Sequence, residues 1–221
     1  MKIHTVRQRS AEWHKLRRGI PTASDFDRII LPSGKPSGQA KKFMHQLAYE
    51  RLLDKDFDRP NLAAVAHVQY GIINEDRAAL AFEQLTGLTT TPVGFITDDE
   101  ASFGCSPDRM IAGQHEALEI KCPTGPVQCG YLMSGLEDAY KAQLQGQILI
   151  GSFPMIHFYA WSDELPPFYI QVRPDPDFLL LLLKYLTQFN IELARGVAHI
   201  RSLGHWPSNA PSVFPDEIES Y

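Results

Sequence analysis

Apolar residues recur at helical spacing over much of the chain. In "IINEDRAALAFEQLTG", Ile72, Ala79, Phe82 and Leu85 form one apolar stripe, and Gly87 follows where helices commonly end. Similar spacing, or a capping residue followed by acidic residues, predicts further helices at 11–19, 22–30, 39–53, 136–151 and 177–196. The intervening "LPSGKPSG" is predicted to be a loop, because glycine and proline interrupt regular structure.

Two helix starts carry recognisable capping residues. Ser10 precedes an apolar pair, Trp13 and Leu16, and its hydroxyl suits the first turn of a short helix. Thr22 or Ser24 is the expected N-cap of the next helix, where acidic residues follow in the first turn.

Shorter apolar runs bounded by turn residues predict strands. Four of them, "VGFIT", "SFGCS", "RMIA" and "ALEIK", lie between residues 92 and 121, and "MIHFYAW" and "FYIQV" follow later. The order is therefore helices, a meander of strands, a helix, two strands and a closing helix. This order predicts an α/β or α+β domain with a central mixed sheet flanked by helices.

The length of 221 residues suits one large domain, and we expect residues 1–221 to form it. The proline- and serine-rich segment 207–221 is expected to be an irregular tail.

The leucine run at 179–183 is too short for a membrane span, which needs about 20 apolar residues. We expect it to belong to a helix buried on several sides. The N-terminus lacks the apolar stretch of a secretory signal, so the expected location is the cytoplasm, without membrane attachment.

Charge is distributed unevenly along the chain. The net charge is -5, but residues 1–51 contain 11 Lys and Arg against four acidic residues. Such a basic region is compatible with a surface that binds a polyanion, and equally with an ordinary solvated basic helix.

The segment "SPDRMIAGQHEALEIKCP" brings three charged residues into a predicted hairpin. Glu119 and Lys121 are two positions apart on a strand, so they project from the same face while Ile120 points into the core. Asp108 begins the neighbouring strand and is expected beside Glu119. Charged groups that converge at buried strand ends are costly unless something bound compensates them.

Two carboxylates and the main-chain carbonyl of Ile120 form an oxygen-rich site suited to Mg²⁺ or Mn²⁺. Lys121 would then position or help to deprotonate an attacking water and offset charge during phosphodiester hydrolysis. The pattern by itself also fits a surface hairpin with an incidental Glu/Lys pair.

Several sequence blocks resemble one family of nucleases. "SPD", "LEIKCP" and "YKAQLQGQ" are similar to the active-site blocks of the phage lambda-type exonucleases, viral recombination nucleases of the PD-(D/E)xK superfamily. "WHKLRRGIPTASDF" and "YGIINEDRAALAFEQLTG" resemble two further blocks, in the family's order, from about residue 10 to residue 150. The resemblance implies a restriction-endonuclease-like fold.

The resemblance also implies roles for the residues of the hairpin. Asp108, Glu119 and the carbonyl of Ile120 would hold the metal, and Lys121 would be the catalytic lysine. Glu75 would be a further acidic group near a second metal ion or its water. Gln143 would position Lys121 or the nucleophile. Taken alone, Glu75 is equally an acid favoured by the helix dipole.

The same resemblance implies that Arg17 and Ser24 bind a terminal phosphate, since a guanidinium can fork onto phosphate and a helix start adds N–H donors. Ser106 is expected to add a hydroxyl group, and Lys35 to contact the duplex backbone. Val68 is a candidate apolar wedge that parts the strands.

The activity implied is a magnesium-dependent exonuclease, with Mn²⁺ as a substitute and two ions per site. It would digest linear double-stranded DNA 5′ to 3′, release 5′-mononucleotides and leave 3′ overhangs for a single-strand annealing protein. A ring-shaped homotrimer and a bacterial host cell, with a phage or prophage gene, are implied as well. Two alternatives remain: an endonuclease of the same superfamily, and a non-catalytic DNA-binding subunit with a nuclease-like fold.

Overall fold

The computed structural model of the chain describes residues 1–57 and 66–204, and their side chains except those of 66–68. The expected irregular tail at 207–221 therefore lies outside the described residues. Within them, helices and strands follow one another in a mixed α/β arrangement, as predicted.

Six α-helices occur in the described part of the chain. They are α1 (Ala11–Arg17), α2 (Ala40–Leu53), α3 (Ala66–Thr86), α4 (Gly125–Ser134), α5 (Lys141–Gly151) and α6 (Pro176–Ser202). Two short 3-10 helices span Ala23–Arg28 and Asp138–Tyr140. The first of these replaces the α-helix expected at 22–30, and Thr22 precedes it without a side-chain cap.

The predicted cap of α1 is confirmed, because the Ser10 hydroxyl accepts a hydrogen bond from the N–H of Trp13 at 3.2 Å.

Eight strands of the described residues form two sheets. They are β1 (Lys2–His4), β2 (Thr90–Pro92), β3 (Phe95–Thr97), β4 (Gly104–Cys105), β5 (Arg109–Ile111), β6 (Ala117–Lys121), β7 (Ile156–Ala160) and β8 (Phe168–Val172). The larger sheet has the order β2-β5-β6-β7-β8, in which only β6 and β7 pair in parallel, and the smaller antiparallel sheet has the order β1-β3-β4. This confirms the predicted mixed sheet; β1 and β2 were not anticipated.

Strand β6 lies in the middle of the larger sheet, and its alternate side chains face opposite layers. Leu118 and Ile120 pack in a core shared with Phe82 of α3. Ala117 packs in the main core, which includes Ile148 of α5. Helix α3 therefore covers one face of the sheet and α5 covers the other.

The parallel pair β6 and β7 needs a crossover connection, which α4 and α5 provide. Helix α4 has no counterpart among the predicted elements, because "GPVQCGYLMS" contains two glycines and a proline. Its proline lies in the first turn, where a missing N–H has no cost, and the helix buries Tyr131 and Gln128.

The expectation that the leucine-rich helix is buried on several sides is wrong. Leu182 is fully buried, whereas Leu180, Leu181 and Leu183 are exposed. The buried residues of α6 recur every three or four positions and form a single stripe, namely Phe178, Leu182, Leu186, Phe189, Leu193 and Val197. This stripe packs against α2 and α5. Among the described helices, none combines the length and the apolar character that a bilayer span requires.

This arrangement predicts different costs for neighbouring leucines of α6. Leu182→Ala should lower the free energy of unfolding by about 2–5 kcal/mol, because it leaves a cavity in the core. Leu180→Ala, on the exposed side of the same helix, should change it by about 0.5 kcal/mol or less. Urea unfolding measures both values, and equal losses in the two variants would contradict the single buried stripe.

Candidate active site

The candidate site begins where the β5–β6 hairpin stops pairing. The last paired residues are Arg109 and Leu118, so Asp108 and Glu119 come next on the two strands. One carboxylate oxygen of Asp108 accepts a hydrogen bond from the main-chain N–H of Ile120 at 2.6 Å. Since the N–H and C=O of a strand residue point to the same side, the Ile120 carbonyl is directed toward Asp108 as well.

Glu119 and Lys121 lie together on the face of β6 that is opposite Ile120. The Lys121 ammonium donates to Oε1 of Glu119 at 2.5 Å. Glu119 is buried, with a side chain only 3% exposed, while the side chain of Lys121 is 27% exposed. The carboxylate is therefore enclosed, while part of the Lys121 side chain reaches the solvent.

Helix α5 supplies two further donors to the same carboxylate. Gln143 donates from its amide nitrogen to Oε1 of Glu119 at 2.6 Å, and Gln147 donates to Oε2 at 2.7 Å. The two glutamines are four residues apart and so share one face of the helix. Gln143 was expected to position Lys121 or the nucleophile, and its described contact is with Glu119. Gln147 was missed, although its spacing from Gln143 was visible in the sequence.

The carboxylates of the site repel one another. Burial raises the pKa of Asp108 well above its usual value, the charge of Glu119 raises it further, and Lys121 only partly opposes this; Glu75 adds to the rise. Burial would lower the pKa of Lys121, but the Glu119 and Asp108 carboxylates raise it above its ordinary value. In this arrangement Lys121 is a cation, which suits charge stabilisation better than proton abstraction.

The donor set fits a hard divalent cation. The raised pKa of the partly buried Asp108 carboxylate shows that Lys121 does not fully offset the negative charge there, and a cation bound between Asp108 and Glu119 would do so. The carbonyl of Ile120 is the third oxygen available there. Within residues 1–57 and 66–204, no cluster of three or more His, Cys, Asp or Glu is arranged to hold a metal, so protein ligands would be completed by water and substrate.

A second group of polar residues surrounds the guanidinium of Arg17. It donates to the hydroxyls of Ser106 at 3.4 Å, Thr22 at 3.1 Å and Ser24 at 3.3 Å. The same guanidinium stacks 4.1 Å above the ring of Trp13, whose indole N–H donates to Ser106 at 2.9 Å. The structure thus brings the predicted residues Arg17, Ser24 and Ser106 together, and adds two that were not anticipated.

This arginine group lies next to the carboxylates. Ser106 is two residues before Asp108, and the buried thiol of Cys105 experiences the charges of both Glu119 and Arg17. An anion held by Arg17 would therefore adjoin the cation site.

Lys35 is not part of this assembly. Lys35 lies on an exposed turn between the first 3-10 helix and α2, and no described contact joins its side chain to the site. The side chain of Val68 lies outside the described ones.

A cleft of about 580 Å³ opens beside the carboxylates. Its lining includes Asp108, Glu75 of α3 and the N-terminal segment 3–9. Glu75 accepts a hydrogen bond from the guanidinium of Arg9 at 2.7 Å. The site is therefore open to a substrate on the side of Glu75.

Comparison of the sequence with models of known protein families identifies the family of the chain. Residues 12–153 match the YqaJ-like viral recombinase domain, a stretch that contains the hairpin, α5 and Arg17. This match confirms the resemblance to the phage lambda-type exonucleases. No significant match was found among curated protein sequences.

Comparison with solved structures shows which proteins have a similar fold. An alkaline exonuclease (LHK-Exo) from Laribacter hongkongensis is 24% identical with a TM-score of 0.77, and the match covers 87% of this chain and 96% of that one. LHK-Exo in complex with dAMP has the same identity and coverage with a TM-score of 0.76. A phage related exonuclease from Haemophilus somnus 129PT is 12% identical with a TM-score of 0.61, over 82% of this chain and 96% of that one.

The repulsion at Asp108 predicts that removing its charge stabilises the protein without metal and abolishes its stabilisation by Mg²⁺. In EDTA, Asp108→Asn should raise the thermal midpoint by about 2–4 °C for each kcal/mol of relieved repulsion, since the amide oxygen can still accept from Ile120. Adding Mg²⁺ should stabilise the unsubstituted protein and leave the variant unchanged. Differential scanning fluorimetry measures both effects.

Glu100→Gln, which removes an exposed acid, is the matched control and should change neither value. A lower midpoint for Asp108→Asn in EDTA would contradict the proposed repulsion.

Proposed function

The chain belongs to the YqaJ-like viral recombinase domain family, and on that premise we propose that it is a magnesium-dependent exonuclease acting on linear double-stranded DNA. The enzyme digests the 5′-ended strand from 5′ to 3′, releases 5′-mononucleotides and leaves 3′ overhangs for recombination by strand annealing. The similar solved structures are exonucleases and include a complex with dAMP, which supports this choice of activity.

One observation supports the proposal most strongly. A group of potential anion ligands around Arg17 adjoins a pair of carboxylates and a lysine, and Ser106 of the first group is separated from Asp108 of the second by a single residue, Pro107. A DNA end presents a terminal phosphate next to the first scissile phosphodiester, so adjacent anion and cation sites match its chemistry.

The ligands of the cation are assigned from the donor set. Mg²⁺, or Mn²⁺ in its place, would be held by Asp108, Glu119 and the carbonyl of Ile120, with Glu75 near a second ion. When bound, the ions supply a Lewis acid that activates water and neutralises charge on the scissile phosphate.

The side chains around the ligands have separate tasks. Gln143 and Gln147 hold the Glu119 carboxylate in one orientation. Arg17, with Ser24 and Ser106, binds the terminal phosphate and so places the next phosphodiester over the carboxylates. Lys121 moves from Glu119 toward the phosphate and stabilises the negative charge that develops in the transition state.

We also propose an assembly and a partner, on the resemblance to the phage lambda-type exonucleases. The enzyme acts as a homotrimer whose ring encloses the duplex, and it works with a single-strand annealing protein in the cytoplasm of a bacterial host. Retention of DNA in a ring allows an acidic protein to be processive, provided that its basic residues face the channel.

The direct test is incubation of duplex DNA with the protein and Mg²⁺. Linear duplexes with 5′-phosphate ends should lose their 5′-ended strands to mononucleotides, because the terminal phosphate is bound by Arg17. A covalently closed circular duplex should survive, since it has no end. Cleavage of the circle would identify an endonuclease instead, and absence of any nucleotide release would identify a binding subunit.

Lys121→Ala should lower the rate of nucleotide release by about a hundredfold or more, because the developing charge then lacks its ammonium partner. Binding of the same duplex in Ca²⁺, measured by fluorescence anisotropy, should be little changed. Lys184→Ala, at an exposed position of α6, is the control. Full activity of Lys121→Ala would remove this lysine from the mechanism.

Arg17→Ala should abolish the preference for a 5′-phosphate over a 5′-hydroxyl end, since the fork that reads the phosphate is lost. Initial rates on the two end types measure that preference. If the ratio of the rates stays at its original value, another residue reads the terminal phosphate.

A further inference from the structure

Arg9 has a backbone conformation that is unusual for its residue type. The N–H of Ser10 donates to the carbonyl of Arg7 at 3.1 Å, which closes a turn with Arg9 at its third position. There Arg9 has a φ of 66°, in the left-handed region where glycine or asparagine is normally found. A side chain kept in a strained turn beside a candidate active site suggests a function for that side chain.

The turn is fixed against the candidate active site. The amide of Gln8 donates to the carbonyl of Val93 at 2.9 Å and to the carbonyl of Pro107 at 2.8 Å. Pro107 directly precedes Asp108, so the position of Arg9 is set relative to the carboxylates. The turn and Asp108 both line the same cleft.

The guanidinium of Arg9 faces solvent in that cleft. Its side chain is 48% exposed, and its described polar contact is the single hydrogen bond to Glu75. A guanidinium has five N–H donors, and the described hydrogen bond to Glu75 uses one of them. An exposed ion pair of this kind contributes little to stability, so the hydrogen bonds of Gln8 and Ser10, and not the side chain of Arg9, hold the turn.

Arg9 and Arg17 lie at opposite ends of α1. This helix has seven residues and is therefore about 10 Å long. Arg17 reaches Ser106, and the turn that contains Arg9 is bound to Pro107 through Gln8. The two ends of α1 thus contact the segment that leads into Asp108, with Arg17 at one end and the turn that contains Arg9 at the other.

We propose that Arg9 binds a DNA phosphate on the side of the carboxylates opposite Arg17, and so holds the strand that remains after cleavage. The role rests on the proposed function, in which Arg17 binds the terminal phosphate and the scissile phosphate lies between the two arginines. The guanidinium shifts from Glu75 toward the phosphate, and two of its N–H groups donate hydrogen bonds to the phosphate oxygens. Arg9 is a substrate-binding residue in this assignment.

The test uses binding of a short fluorescein-labelled duplex in EDTA, without cleavage, over about 50–200 mM salt. Arg9→Gly and Arg9→Asn both suit the left-handed turn and remove the charge. Each should weaken binding by roughly tenfold and reduce the slope of log K against log salt by about 0.9, the value for one lost phosphate contact. Arg195→Ala, which removes an exposed charge from α6, should leave both quantities unchanged.

Thermal midpoints distinguish this role from a structural one. If Arg9 only anchors the turn through Glu75, then Arg9→Gly lowers the midpoint and leaves the salt slope unchanged, and the proposal is overturned. If Arg9 binds phosphate, the slope falls while the midpoint stays level or rises, because the strain is relieved. An equal fall of the slope in Arg195→Ala would also overturn it.

The unsubstituted protein separates this proposal from its premise. Binding and digestion of linear duplexes by that protein, together with unchanged binding by Arg9→Gly, would contradict only the role of Arg9. Failure of the unsubstituted protein to bind or digest any duplex would contradict the proposed function itself.

Discussion

The candidate site depends on keeping one carboxylate charged inside the protein. Glu119 is almost completely enclosed, and burying an unpaired carboxylate would be very costly. Its two oxygens accept hydrogen bonds from Lys121, Gln143 and Gln147, so the charge is matched by one cation and two amides. Because these donors come from β6 itself and from α5, the carboxylate also fixes how the helix lies on the sheet.

The arrangement around Glu119 leaves negative charge where a substrate needs a cation. In the described part of the chain, the hydrogen-bond donor to Asp108 is the N–H of Ile120, and burial and the charge of Glu119 raise the pKa of this carboxyl. The protein thus tolerates an unfavourable carboxylate beside a fully paired one, which is common where binding takes priority over stability. Arg17 and Arg9, the two arginines described near this pair, come from a single short helix and the turn before it.

Much of the hairpin chemistry follows from the sequence, because a strand has a period of two. That period places Glu119 with Lys121 and sends Ile120 to the opposite face. Helix α4 could not be anticipated, since its glycines and proline are also typical of a loop, and only burial of Tyr131 distinguishes the two. The role of Arg9 depends on a backbone angle and on contacts across the fold, neither of which a local pattern contains. The prediction that α6 is buried on several sides was wrong for a related reason. A continuous apolar run does not show which of its residues face the solvent.

The crossover between the parallel strands β6 and β7 has a consequence for biosynthesis. A chain emerges from the ribosome with its N-terminus first. The hairpin that carries Asp108 and Glu119 is therefore translated before α5, which supplies the glutamines, and before β7, which pairs with β6 along its other edge. Until those later segments have been made, Glu119 has neither its amide donors nor a complete sheet around it. A chain that ends before α5 therefore lacks the amide donors of Glu119, and the site takes the form described here only after β7 has been synthesised.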